Sequence, residues 1–202
     1  MVGFNRRFAP LARWLKERLD EGPMAIVYRV NAGAIPADSW IQDPEVGGGR
    51  IVGEVCHFVD FLTYLCGALP VSVHATALPD PQGLNDTVTI NVRFANGSIG
   101  TVAYFTNGNR RVEKEYVEVY QCGQTAVLRD FKKVELYGGR RRLKKRLLCQ
   151  DKGQAEMVRQ FLQAVKDGGP TPIPIEEQLA VTRACFAALE SLRTGQTVRV
   201  QG

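Results

Sequence analysis

Apolar residues recur at helical spacing toward both ends of the chain and alternate with polar ones through its middle. Pro10 suits a first helical turn, and Leu11, Leu15 and Leu19 repeat on one face until Gly22-Pro23 stops the pattern, which predicts a short amphipathic helix. Met24 to Ala32, rich in Ile, Val and Tyr, predicts a strand, followed by a loop through Ala37-Asp38-Ser39-Trp40 to Gly47-Gly48-Gly49. A second helix is expected from Arg50 to Cys66, with Gly67 as its left-handed stop.

From Val71 the period becomes two. Strands are expected at Val71 to Leu78, Thr87 to Phe94, Ser98 to Thr106, Tyr116 to Gln121, Thr125 to Arg129, Lys133 to Tyr137 and Leu143 to Leu148. Ala95-Asn96-Gly97 is a hairpin signal because Asn-Gly tolerates the positive backbone angles of tight turns, and Gly138-Gly139 marks another turn. Helical spacing returns at Gln154 to Val165 and, past a proline-rich stretch at 169–175, at Glu176 to Arg193; Thr197 to Val200 could add an edge strand. Helices before and after a meander, without regular βαβ alternation, imply an α+β fold: a predominantly antiparallel open sheet of about seven strands with helices packed on one face. One domain over residues 1–202 is expected.

Composition narrows the class. The 202 residues are 45% hydrophobic and 23% charged, as in ordinary globular proteins. No apolar run reaches the roughly 18 to 20 residues of a membrane span, and MVGFNRRFAP lacks the apolar centre of a signal peptide, so no membrane partner and a cytoplasmic location are expected. Five cysteines, odd in number and without a Cys-x-x-Cys pair, read as reduced thiols, mostly in the core, and do not support a metal site. Much of the net charge of +5 sits in Arg140 to Arg146, where six of seven residues are cations. That run is either a phosphate or nucleic-acid patch or a solvated edge strand whose charges discourage pairing; no nucleic-acid motif or aromatic series accompanies it, which favours the edge strand. Gly47-Gly48-Gly49 follows a loop and lacks G-x-G-x-x-G, so it is not a dinucleotide fingerprint, and neither a P-loop nor a Gly-x-Ser-x-Gly elbow is present.

The densest chemistry lies in GGGRIVGEVCHFVDFLTYLCG, residues 47–67. At about 100° per residue, Ile51, Val55, Phe58, Leu62 and Leu65 form one apolar stripe. Arg50, Glu54, His57 and Tyr64 fall on a second stripe about a quarter turn away, with Phe61 among them and Asp60 at its margin. Glu54 and Asp60 each lie three residues from His57, so either carboxylate could approach the imidazole, favour its protonated form and fix its tautomer. Three readings stay open on this geometry: a hydrogen-bonded structural histidine, a proton-transfer residue, and a metal ligand, the last weakened because His74 lies in another segment.

That segment, preceded by Asn-Arg-Arg-Phe-x-Pro and followed by VSVHATA and RFANGSIGTVAYFTNG, resembles the C-terminal domain of the Gfo/Idh/MocA family, the NAD(P)-dependent relatives of glucose-fructose oxidoreductase and inositol dehydrogenase. EKEYVEVYQCGQTAVLRDF and PIPIEEQLAVTRACFAALESLRTGQTV fit the same pattern, so the resemblance covers nearly the whole chain. It implies a Rossmann domain ahead of an α+β domain whose helical side lines the substrate pocket and whose open sheet face forms homo-oligomer contacts. The chain would then be a detached C-terminal domain, with NAD or NADP bound mainly by the absent domain and no cofactor held by this chain alone. His57 matches the family histidine that exchanges a proton with a substrate hydroxyl. The family's usual lysine has no counterpart here, and Gly53 stands where many members carry an aspartate; Glu54 is adjacent, but a one-residue shift turns a side chain by about 100°.

The resemblance implies His57 as the catalytic residue, with Glu54 binding substrate. Position adds Arg50 and Asp60 on the polar stripe and Arg6 at the junction as substrate-binding candidates and Arg7 as a cofactor contact; the alternatives are a solvated first-turn Arg50 and seam arginines paired with carboxylates. Tyr64 and Tyr104 are either pocket walls or core tyrosines. The implied activity is that of a substrate domain acting on a sugar, polyol or related hydroxyl or keto compound, inactive without its Rossmann partner. The alternative is a non-catalytic binding or assembly module using the sheet face and the basic run.

Overall fold

The computed structural model describes residues 1–202 apart from Ala37, Pro44, residues 80–83 and Gly202. A 3-10 turn at Arg6–Phe8 leads into α1 (Pro10–Lys16) and β1 (Ala25–Asn31). A long loop then reaches a π turn at Ile51–Val55, which runs directly into α2 (Cys56–Cys66). Seven strands follow: β2 (Pro70–Ala77), β3 (Val88–Phe94), β4 (Ile99–Phe105), β5 (Glu115–Gln121), β6 (Gln124–Arg129), β7 (Lys133–Gly138) and β8 (Arg141–Arg146). The chain closes with α3 (Gln154–Asp167), α4 (Ile175–Thr194) and β9 (Val198–Arg199).

The strands form one sheet in the order β8-β7-β6-β5-β1-β4-β3-β2-β9. Two antiparallel meanders, β2 to β4 and β5 to β8, are joined by β1, which runs parallel to β4 and antiparallel to β5. The fold is α+β, as expected, but the sheet has nine strands instead of seven, and its centre comes from the first strand in sequence. Alternation fixes which β1 residues face inward, namely Ile26, Tyr28 and Val30, without specifying which strands pair with it. The Asn-Gly hairpin forms between β3 and β4. Only Gly97 takes a positive φ, of 85°, and its amide bonds to Phe94 O, so Asn96 serves through its side chain, accepting from Ser98 N.

Helices α2 and α4 cover one face. Buried Ala180, Ala184, Ala187 and Ala188 let α4 approach closely, and Ser191 Oγ accepts a bond from Ala75 N on β2. Beneath α2, Tyr28 meets Phe58 and Phe61 edge-on, and Phe61 meets Phe131 likewise. Helix α1 ends at Lys16, before Leu19, and the Lys16 ammonium donates to Leu65 O near the carboxyl end of α2. Gly67 then stops α2 at a φ of 62°. Helix α3 buries none of its residues and leaves Val158, Phe161, Leu162 and Val165 exposed.

The basic run is the edge strand β8, exposed along its whole length, with Arg142 and Lys133 paired to Glu135. The thiols correct the expectation of a mostly core location: Cys66 and Cys185 are buried, Cys56 is half-buried, and Cys122 and Cys149 are exposed, because neither of the last two lies on an inward-facing position. Among the described residues, no helix is long and apolar enough to cross a membrane, and no three His, Cys, Asp or Glu side chains are placed to share a metal ion.

Candidate functional site

The site lies where the loop after β1 meets the start of the α2 helix. Asp43 organises the loop: its carbonyl accepts from the Gly47 and Gly48 amides, and its Oδ1 accepts from Glu45 N and Val46 N. The three glycines then have separate reasons. A Cβ on Gly47 would lie 2.4 Å from Trp40 O and 2.5 Å from the Ile41 Cα, whereas Gly48 and Gly49 take φ of 68° and 74°. This compact turn delivers Arg50 to the helix start. Arg50 donates from Nη1 to Gly33 O at 2.8 Å and from Nη2 to Glu54 at 2.9 Å, and its guanidinium lies over the Tyr104 ring.

The π turn at Ile51–Val55 changes the geometry expected for a uniform α-helix. An i to i+5 turn holds more residues than an α turn, so the 100° step fails between Glu54 and His57. Glu54 is held in a polar knot. Its Oε2 accepts from Tyr104 Oη at 2.5 Å and from Arg50, and its Oε1 accepts from Lys114 Nζ at 2.7 Å. Burial disfavours its charge, but the bonds from Lys114, Tyr104 and Arg50 outweigh burial and hold the carboxyl at about 2.

Asp60 is also unavailable to His57. It is fully buried and grips Arg7, whose Nη2 and Nε donate to it at 2.5 Å and 3.1 Å while Nη1 reaches Glu177 at 2.7 Å. Burial pushes the Asp60 carboxyl up to about 6, and the fork of Arg7 keeps it ionised at neutral pH. The expectation that a carboxylate polarises His57 is therefore corrected: both candidates are committed to cations. His57 instead packs edge-on against Phe4, with Nδ1 buried and without a partner. Burial and the neighbouring Arg6 charge, only partly offset by Glu54 and Glu115, lower its pKa to about 4, so the imidazole is neutral at physiological pH.

Arg6 and Arg7 anchor the entering chain. Arg6 donates from Nε and Nη2 to Glu115 at 2.7 Å and 3.1 Å and stacks over Phe58. Glu115, wholly buried, also accepts from Lys152 at 2.6 Å and from Tyr28. Burial opposes its charge, but Arg6 and Lys152 hold it at about 2. The structure thus brings Arg50, Glu54 and His57 to one end of the sheet and turns Arg6, Arg7 and Asp60 into buried ties. Three of the five N–H donors of Arg7 are occupied by Asp60 and Glu177, which leaves few for a cofactor.

Lys114, Glu115, Tyr28 and Lys152 are the participants that residue patterns missed, while Tyr104, left open as pocket wall or core tyrosine, is both buried and bonded to Glu54. One signal was available: alternation in Glu115-Tyr-Val-Glu-Val puts Glu115 on the same face as Val117 and Val119, which marks a buried carboxylate in need of cations. Lys114 gave no such sign, since its role depends on where the π turn sends Glu54.

The fold is thus a nine-stranded α+β sheet with a half-buried histidine near a salt-bridged acid and tyrosine at one end. The model of the GFO/IDH/MocA C-terminal domain matches residues 14–126, and the chain belongs to that family. Protein y4oX of Sinorhizobium fredii (strain NBRC 101917 / NGR234) is 30% identical over 184 residues, covering 81% of this chain and 51% of that protein. The chain therefore spans about half the length of this curated relative. Among solved structures, an oxidoreductase domain protein from Kribbella flavida superposes with a TM-score of 0.82 at 16% identity, covering 100% of this chain and 66% of that one. Levoglucosan dehydrogenase in complex with NADH gives 0.79 at 21% identity over 100% and 66%. Aldose-aldose oxidoreductase from Caulobacter crescentus, complexed with glycerol, gives 0.75 at 17% over 97% and 61%. At these identities the structural likenesses establish the fold.

Proposed function

We propose that the chain is the substrate-binding domain of an NAD(P)-dependent oxidoreductase acting on a sugar, polyol or related hydroxyl or keto compound, with His57 exchanging the proton of the reacting hydroxyl. The observation that carries this reading is the neutral imidazole at the end of the sheet, beside the Arg50–Glu54–Lys114–Tyr104 knot, in a chain of this family. A neutral imidazole can take a hydroxyl proton, and the clustered donors can orient the other hydroxyls of a polyol. The relatives solved with NADH and with glycerol support this class of ligand. Oxidising the alcohol also requires a hydride acceptor, NAD or NADP, which we assign to a Rossmann domain outside these 202 residues. The uncovered apolar stripe of α3, Val158, Phe161, Leu162 and Val165, is a surface that such a domain would bury.

The open sheet face supports homo-oligomerisation. Ile99 and Tyr120 flank Ala25 across the central strands, and Val27 continues the same face, with Val27, Ile99 and Tyr120 exposed. A soluble, cytoplasmic enzyme with a small-molecule substrate is the corresponding whole. The basic run, as a solvated edge strand, gives no support to nucleic acid as partner. In the complete enzyme, His57→Ala should lower turnover about 10² to 10⁴-fold in a steady-state assay with NAD or NADP; unchanged turnover would remove the proton-transfer role. Calorimetry on the 202-residue chain should detect no tight NAD or NADP binding, and a tight isotherm would overturn the assignment of the cofactor to another domain.

A further inference from the structure

A cleft of about 540 Å³ opens at the ends of β1 and β5, with Asn31, Arg110, Arg111, Glu113, Lys114 and Asp130 in its walls. Lys114 joins it to the site above, since the same ammonium holds Glu54 one helical turn before His57. The charges around the cleft do not balance. Glu113 is answered twice, by Arg129 at 3.2 Å and Arg29 at 3.7 Å. Glu54 is shared between Arg50 and Lys114, which leaves one positive charge in that trio. Arg110 lies across Gly33 and gives one Nη2 bond to Ala34 O at 2.7 Å. Among the described residues the Arg111 guanidinium has no partner, and it is exposed.

Asp130 adds one carboxylate at the cleft, with its Oδ1 closed off inside the protein. Guanidiniums and an ammonium outnumber it, and planar guanidinium forks match carboxylate and phosphate oxygens.

We infer that this cleft is a subsite for the anionic end of the substrate: an oxyanion seated among Arg110, Arg111 and Lys114. The inference rests on the sugar reading above and narrows it to polyhydroxylated compounds bearing a carboxylate or phosphate. Arg111 is the specificity residue, because its guanidinium is uncommitted in the protein itself.

The test is calorimetric titration of the 202-residue chain with three probes: glucose, glucuronate and glucose 6-phosphate. At least one acid should bind about tenfold or more tighter than glucose, and whichever of glucuronate and glucose 6-phosphate gains more identifies carboxylate or phosphate as the anion. Arg111→Met, a change at an exposed side chain, should abolish most of that gain while leaving glucose affinity unchanged. Lys144→Met on the β8 edge is the control for diffuse charge and should leave all three affinities unchanged. Equal binding of the three probes, or a gain that survives Arg111→Met or falls equally with Lys144→Met, overturns the subsite and leaves the sugar reading standing. No binding of any probe up to about 50 mM also overturns the subsite, while the sugar reading stands or falls on turnover of the complete enzyme.

Discussion

At the residue scale, the decisive fact is that among the described residues no carboxylate pairs directly with His57. Its carboxylate neighbours in sequence are spent on Arg7, Arg50 and Lys114, so burial and Arg6 prevail and the folded pKa falls to about 4 from an ordinary 6.5. The sign of the linkage follows. Below about 6.5 the unfolded chain takes up a proton that the folded chain refuses until about 4, so His57 lowers stability as pH falls through that window. Relative to His57→Gln, the wild-type chain should lose about 3 kcal/mol between pH 7.5 and pH 4, measured by urea denaturation. The comparison with the variant is needed because Asp60, raised to about 6, has the opposite sign: protonating it on the way down favours the folded state. A parallel pH response in both proteins would refute the depressed histidine. Glu115 offers a second test at this scale. Removing it as Glu115→Ala leaves Arg6, Lys152 and Tyr28 without their shared acceptor in a buried site and should cost about 3 to 5 kcal/mol by the same denaturation assay.

At the element scale, the loop from Ala32 to Gly49 and the π turn act as one device that aims Arg50 and Glu54. Gly47 is its tightest point, where even a methyl group would enter the backbone of Trp40 and Ile41. Gly47→Ala should therefore displace the turn, with a loss of about 1 to 3 kcal/mol in thermal or urea unfolding. In two-dimensional NMR the largest shifts should fall on Arg50, Glu54 and Lys114, and shifts confined to the loop would show that the turn does not position them. Much of this element was legible: the glycine run, the apolar stripe and the Gly67 stop all appear in the periodicity. The π turn was not, because a local widening by one residue leaves the apolar positions Ile51, Val55 and Phe58 inward while moving the polar ones between them.

For the whole molecule, the sheet separates two kinds of surface. The helical face is covered by α1, α2 and α4, and the opposite face leaves Val27, Ile99 and Tyr120 in the open. If that face joins copies, Ile99→Glu with Tyr120→Glu should convert an oligomer into a monomer by light scattering while leaving the circular dichroism spectrum intact. A chain that is monomeric before substitution, at about 0.1 mM, would show that this face does not self-associate with useful affinity.

The sequence by itself determined the α+β class, most strand and helix positions, the hairpin at Asn96-Gly97, the burial of one stripe of the α2 segment and the prominence of His57. These depend on periodicity and on residues with restricted or permissive backbones, which are local properties. Tertiary structure alone decided that β1 enters the centre of the sheet, that Glu54 turns toward Tyr104 and Lys114, and that Arg6 and Arg7 are consumed by Glu115 and Asp60. Each of these is a choice of partner between segments far apart in the chain. The spacing of residues fixes which face a side chain occupies; the charge or hydroxyl that meets it there is set by how the sheet and helices assemble.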